Sequence, residues 1–375
     1  MMREMLELLL TVGSLAFSLL IGWIYLPKII LIAKKKKLFD AIDERKVHVG
    51  SVPRIGGIAF FPIVLLTVSV FTILRYLLGC PISGVPLDNV FVEMLCFTAG
   101  LTIMYIVGLA DDLTGVRYKI KFLFQFFASL CIISSGLWVH DLQGILGIHK
   151  IPFYIGIPIT VLAFMFVMNA YNLIDGIDGL CSGLSLLAIG LMGFWFAYNR
   201  LFFYGMIAAG IMGVLIVFFF YNTYGKKSKV FMGDTGSVTL GFIIAFLGIK
   251  LYNLSFISDW TLNFHNPAAA ILGIAFIPIF DALRVFCARI AGGLSPFFPD
   301  KRHIHHKFLR LGFTHVQSTF IIMGMQLCYV VFNTIMQPLN INIIIFIDIL
   351  IALTFLVAIN YVIRCKNKQI YERTK

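Results

Sequence analysis

The chain has 375 residues, 60% of them apolar and only 13% charged, with a formal net charge of +12 and a mean hydropathy of +0.94. Soluble domains carry roughly 45–50% apolar and about 25% charged residues, which excludes that class and leaves an integral membrane protein.

A bilayer core of about 30 Å takes roughly 20 apolar helical residues per crossing. Eleven such runs follow in chain order, at about 6–26, 55–78, 91–110, 120–138, 152–173, 180–198, 201–221, 236–254, 267–289, 317–337 and 341–363. They lack the alternating segments of a membrane barrel, so the predicted fold is all-α with about eleven transmembrane helices. No soluble insertion or internal repeat interrupts them, and 1–375 reads as a single polytopic domain. The first run has no small-residue cleavage site after it and reads as a retained span. The seven cysteines (80, 96, 131, 181, 287, 328, 365) form no CxxC and suggest neither a disulfide framework nor a thiolate metal site.

With the N-terminus placed outside, the inner segments 27–54, 111–121, 222–235, 284–316 and 364–375 hold 25 of the 30 Lys and Arg. This obeys the positive-inside rule and predicts a cytoplasmic C-terminus. The exceptions are Arg3, Arg75, Lys150, Arg200 and Lys250. The positive charge thus reports topology and requires no nucleic acid, although "KKKK" at 34–37 would attract anionic membrane lipid.

The acids gather on the same side: Asp40, Asp43, Glu44, Asp111, Asp112, Asp175, Asp178, Asp234, Asp281 and Asp300. A common polar site at the cytoplasmic face is the economical reading, because a charge at a helix end still needs a partner. "VGLADDLTGVRYKIKFLFQ" ends the third run with Asp111 and Asp112, and Lys121 returns a cation at the start of the fourth. Adjacent helical residues point about 100° apart, so the two acids can do different jobs, or simply snorkel from a solvated loop. In "NAYNLIDGIDGL", Asn172, Asp175 and Asp178 share a stripe if the helix continues, while Gly176 and Gly179 permit a tight turn; either geometry gathers oxygen ligands. "VFMGDTGSVTLGF" offers small residues at a helix start, suited to phosphate, with Asp234 as a cation ligand or a helix cap. "SPFFPDKRHIHHKFLRLGF" concentrates Arg302, His303, His305, His306 and Lys307. Three histidines invite zinc, but no fourth ligand is near, and donors for a diphosphate fit better beside motifs that favour magnesium or manganese.

Together and in order, these segments, with "DERKVHVGSVPRIGGIAF" before them, resemble the polyprenyl-phosphate N-acetylhexosamine-1-phosphate transferases (glycosyltransferase family 4 type). The similarity runs from about residue 40 to 315 and is nearest the WecA/TagO-like branch, which starts O-antigen, common-antigen and teichoic-acid chains. "HIHH" departs from the consecutive histidines of the muramoyl-pentapeptide branch. The resemblance implies transfer of a sugar-1-phosphate, by default GlcNAc-1-phosphate, from a UDP-N-acetylhexosamine to undecaprenyl phosphate at the inner face of a bacterial plasma membrane, releasing UMP. It implies magnesium, held by Asn172 and Asp234. It places Asp178 at the uracil base with Asp175 nearby, Lys121 and the His303, His305 and His306 loop with Arg302 at phosphates or sugar, and Asp111 and Asp112 at the lipid phosphate. A homodimer is the expectation by analogy.

Other classes make different demands. An ion-coupled transporter needs ionisable groups near mid-bilayer on broken helices in corresponding halves. An intramembrane aspartyl protease needs a second catalytic aspartate on a facing span, and "MGDTG" has no evident partner of that kind.

Overall fold

The computed structural model describes residues 2–36, 52–80, 87–225, 228–256, 262, 264–295 and 301–374. Lys37, Asp40, Asp43, Glu44, the first half of "DERKVHVGSVPRIGGIAF" and Asp300 lie outside the described residues. The chain forms α1 (Met2–Lys35), a short 3-10 turn (Gly56–Ala59) leading into α2 (Phe60–Leu77), α3 (Leu87–Thr114), α4 (Tyr118–Ser134), strands β1 (Asp141–Ile145) and β2 (Ile148–Lys150), then α5 (Phe153–Ile174), α6 (Leu180–Tyr198), α7 (Phe202–Tyr224), α8 (Gly233–Leu254), α9 (Pro267–Ala291), α10 (Ile304–Arg310), α11 (His315–Ile335) and α12 (Ile341–Thr374). Among the described residues, ten helices are long and apolar enough to cross a membrane. The eleventh expected span is α4, whose 17 residues sit at the lower limit of about 17–25 for a crossing. The antiparallel hairpin β1–β2, which the run of apolar segments did not foretell, lies between α4 and α5.

The bundle is built around α8, which is buried on nearly all sides. A helix apolar all round belongs in such a centre. Its neighbours approach through glycines: a Cβ on Gly108 of α3 would lie 2.5 Å from the Thr235 Cα, and one on Gly241 of α8 would lie 2.6 Å from the Met168 Cα of α5. Small residues allow this contact where burial from water supplies no force between helices. Ahead of α8, Phe231 N–H donates to Pro53 O at 2.8 Å, while Gly56 and Gly57 donate to Phe231 O and Met232 O at 3.0 and 2.9 Å. The "PRIGG" and "VFMGD" segments therefore form one joined entrance to the α8 N-terminus.

Helix α9 bends at Ala275 (φ −123°, ψ 17°). Pro278 lacks an N–H and its ring crowds the preceding turn, which accounts for the bend. Inside a bilayer the freed backbone groups need other partners. Gln326 of α11 supplies them: its Oε1 accepts Ile277 N–H at 2.9 Å and its Nε2 donates to Gly273 O. The bend directs the second half of α9, carrying Asp281, Arg284 and Arg289, toward the polar end of the bundle.

The opposite end explains the exceptions to the charge rule. Arg75 pairs with Glu7, Lys250 with Glu93 at 2.5 Å, and Arg200 with Glu4 at 2.9 Å. Three of the five stray cations are thus neutralised in place, two of them deep in the packing.

Candidate active site

The last turn of α3, the first turn of α4 and the first turn of α8 meet at one point. Lys121 Nζ pairs with Asp111 Oδ2 at 2.5 Å and also with Asp234 Oδ2. Arg54 approaches Asp234 Oδ1 at 3.8 Å. Two carboxylates brought this close repel each other unless cations sit between and beside them, which Lys121 and Arg54 do.

Asp112 faces elsewhere. Its Oδ1 accepts Asp234 N–H at 2.8 Å, and its Oδ2 accepts Thr235 N–H at 2.9 Å and the Thr235 hydroxyl at 2.6 Å. It therefore caps α8 from another helix, and Asp234 is not the cap. The same bonds commit two N–H groups that the sequence reading offered to phosphate. Gly233, at φ +74°, has no room for a Cβ beside this carboxylate.

The end of α5 supplies the second group. Asn172 Nδ2 donates to Ser237 Oγ of α8 at 2.9 Å, which leaves the amide oxygen for a ligand. The helix stops there, and Asp175 is its C-terminal cap residue at φ −74°, ψ 50°. Asp175 and Asp178 thus occupy a tight turn and not a continuous helical stripe. Burial, opposed by Arg54 and reinforced by Asp234, Asp112 and Asp178, pushes the Asp175 carboxyl up to about 7. Asp178 Oδ2 meets Lys229 Nζ at 2.6 Å and His315 Nδ1 at 2.8 Å. Burial alone would raise the Asp178 carboxyl, but these two partners hold it below its ordinary value of 3.8.

The histidine segment is anchored by α9. Asp281 Oδ2 contacts His303 Nδ1 at 2.8 Å, and its Oδ1 accepts Ile304 N–H at 3.0 Å and Arg284 at 2.6 Å. Arg302 Nη1 donates to Ala288 O at 2.9 Å. His305 is buried, at 1% exposure, with its ring edge directly against Gly176. This contact joins "HIHH" to "DGIDG". Burial drives His305 well below its ordinary value. Burial, with His303, Lys301 and Arg310 nearby, takes His306 down to about 4. Burial thus favours the neutral imidazole at His305 and His306.

Beside the cluster lies a cavity of about 430 Å³ between α4, α5 and α9. Tyr118, Phe122, Leu162, Phe166 and Phe286 give it an apolar wall, while Lys121, Asn169, Asn172 and Arg289 line its polar parts. One space thus offers hydrocarbon surface and a pair of cations.

The structure brings Asp111, Lys121 and Asp234 into contact, and ties Asp112, Asn172 and Asp178 to the same region. His303 is held separately by Asp281, and Arg302 by the end of α9. Sequence reasoning left out Arg54, Lys229 and His315 as site residues, and counted Asp281 among the acids of the polar face without giving it a role. The first two stand inside or next to the quoted motifs "PRIGG" and "KVFMGD" and could have been found there; His315 carries no local signal.

Fold and site together define a multi-pass membrane enzyme. Residues 94–252 match the model of glycosyl transferase family 4. The chain is 31% identical over 315 residues to a probable undecaprenyl-phosphate N-acetylglucosaminyl 1-phosphate transferase of Bacillus subtilis (strain 168), covering 81% of this chain and 79% of that protein. It is 31% identical over 304 residues to the undecaprenyl-phosphate alpha-N-acetylglucosaminyl 1-phosphate transferase of Yersinia pestis, covering 78% and 74%. The enzyme of that name in Escherichia coli (strain K12) is 29% identical over 300 residues, with coverage of 78% and 74%. The chain belongs to glycosyl transferase family 4.

Proposed function

We propose that this protein transfers N-acetylglucosamine-1-phosphate from UDP-N-acetylglucosamine to undecaprenyl phosphate and releases UMP. The observation that carries the reading is the placement of Lys121: it binds Asp111 and Asp234 while also lining a largely apolar cavity. A polyprenyl chain needs the apolar wall, since each buried methylene is worth about 0.8 kcal/mol. Its phosphate needs cations at headgroup depth, which Lys121 and Arg289 supply. The transporter alternative has no support from the relatives, which are named as transferases.

In the reaction, an oxygen of the lipid phosphate attacks the β-phosphorus of the UDP-sugar. The bond from that phosphorus to the bridging oxygen breaks, and UMP leaves with the electron pair. Lys121 offsets the charge of the incoming phosphate, and Asp111, in contact with Lys121, orients it for in-line attack. Phosphate oxygens are already nucleophilic near neutral pH, so no covalent aspartyl stage is required. Asp178 accepts the imide N–H of uracil. Arg302 and the neutral imidazoles of His305 and His306 offer donors for the diphosphate and sugar.

Magnesium fits the donors present. Among the described residues, no group of three or more His, Cys, Asp or Glu converges on one point. The set is instead the Asp234 carboxylate and the amide oxygen of Asn172. Mg²⁺ is commonly held by one or two carboxylates with substrate phosphates and waters completing the shell. When bound, it would offset charge developing on the diphosphate oxygens. The site faces the cytoplasm of a bacterial plasma membrane, with the N-terminus outside, a placement supported by the distribution of Lys and Arg.

The test is release of UMP by purified protein supplied with undecaprenyl phosphate, Mg²⁺ and a panel of UDP-sugars. UMP formation that depends on the lipid phosphate and is strongest with UDP-N-acetylglucosamine is expected. No lipid-dependent release with any UDP-sugar would overturn the reading.

A further inference from the structure

The assigned reading leaves two partly buried interactions unused: the Lys229 and His315 contacts to Asp178. We infer that Lys229 and His315 are positioning residues that fix Asp178 as an ionised, correctly turned acceptor and thereby set the preference for uracil. The inference rests on the proposal that Asp178 receives the base.

Both contacts fall on the same oxygen, Oδ2, at 2.6 Å from Lys229 and 2.8 Å from His315. Rotation of the carboxylate about its bond to Cβ is therefore restrained from two directions. The backbone beneath it is restrained as well. Thr319 of α11 donates its hydroxyl to Asp178 O at 2.7 Å, and Asn222 of α7 accepts Gly179 N–H at 2.5 Å. Gly179 itself lies at φ +79°, where a Cβ would meet Thr223, Phe219 and Thr319. Three elements distant in sequence thus converge on one carboxylate that is only 6% exposed.

A buried carboxylate held by hydrogen bonds from an ammonium group and an imidazole N–H stays ionised, and an ionised carboxylate is an acceptor only. Uracil presents an N–H at its third ring position, whereas cytosine presents a lone pair there. An acceptor-only group attracts the first and repels the second, and a buried polar mismatch is the strongest kind of discrimination available to a binding pocket. The two donors have a further consequence in one variant. In Asp178→Asn, Lys229 and His315 would hold the amide oxygen, because both donate, and so turn the NH₂ toward the base.

The experiment measures UMP and CMP dissociation constants by calorimetry on purified full-length protein, together with KM for UDP-N-acetylglucosamine and for undecaprenyl phosphate. Lys229→Met and His315→Ala should each weaken UMP and raise KM for the UDP-sugar by about tenfold, the scale of one charge-assisted hydrogen bond. The kcat at saturation and the KM for the lipid should stay within about threefold, on the usual reading of uniform binding loss. Lys229→Arg and His315→Asn retain a donor and should recover most of the affinity; this separates positioning from simple misfolding. Asp178→Asn should narrow the UMP-over-CMP preference in the presence of both partners and do so less in Lys229→Met/His315→Ala. Unchanged UMP affinity in the folded Lys229 and His315 variants, with Asp178→Asn still impaired, overturns the positioning role alone. Unchanged UMP affinity in Asp178→Asn overturns the base assignment along with it.

Discussion

Asp112 and Thr235, 123 positions apart, are joined twice: the carboxylate accepts both the backbone N–H at 2.9 Å and the side-chain hydroxyl at 2.6 Å of Thr235. The neighbouring Asp111 instead pairs with Lys121 at 2.5 Å. Two adjacent aspartates are thereby divided between holding a helix end and forming the polar cluster. Asp112→Ala should lower thermal stability by about 1–2 kcal/mol, as loss of a helix cap does. Thr235→Val combined with it should cost less than the sum of the two. Fully additive losses in a thermal-unfolding cycle would show that the two residues do not act together.

Asp111→Asn should lower turnover strongly while UDP-sugar binding stays largely intact, because Asp111 belongs to the lipid side of the proposed site. Separate titrations of the two substrates decide this. Equal loss of nucleotide-sugar binding would move Asp111 to the donor half.

Asp234→Ala and Asn172→Ala should abolish turnover while the protein still inserts and purifies. Activity of the parent should vanish in excess EDTA and return with Mg²⁺ or Mn²⁺, with Ca²⁺ poorer because it favours a larger and looser shell. Near-normal rates in either variant, or full turnover in EDTA, would remove these residues from metal binding.

Gln326→Leu should destabilise the protein by about 2–4 kcal/mol, because Gly273 O and Ile277 N–H would both lose their partner in a buried setting. Its unfolding temperature in detergent should fall well below that of Gln317→Leu, a change at a solvent-side helix start. Equal temperatures would mean that the bend in α9 finds other partners.

The Asp175 carboxyl, raised by burial from 3.8 to about 7, makes the metal-free fold sensitive to alkali. Between these two values the folded state holds a proton that the unfolded state has released. Stability therefore falls as pH rises from about 4 to about 7 and levels off above that. Asp175→Asn should flatten this part of the profile. An unchanged slope in pH-dependent unfolding of metal-free protein would assign it to another group.

A cysteine placed at Ser295, just beyond the end of α9, should react with a membrane-impermeant maleimide only after the inner face is opened. Labelling of intact cells would reverse the proposed topology.

The transmembrane layout was legible in the sequence because each crossing is a local property: a helix must be apolar for about 20 residues, and that is visible without knowing its neighbours. The same locality exposed Asp111, Asn172, Asp234 and the histidine segment, since polar groups stand out at the edge of apolar runs. It did not divide Asp111 from Asp112, because a turn of about 100° per residue says that the two diverge without saying what each meets. Nor could it reveal that Asp178 is held by Lys229 and His315, which lie 51 and 137 positions away, or that Gln326 repairs α9. Those partners have no shared spacing or pattern along the chain. Only the packing of α8 among α3 and α5, of α11 against the start of α6, and of α9 against α11 brings them within hydrogen-bond distance, and there the low dielectric and scarcity of water make each partner necessary.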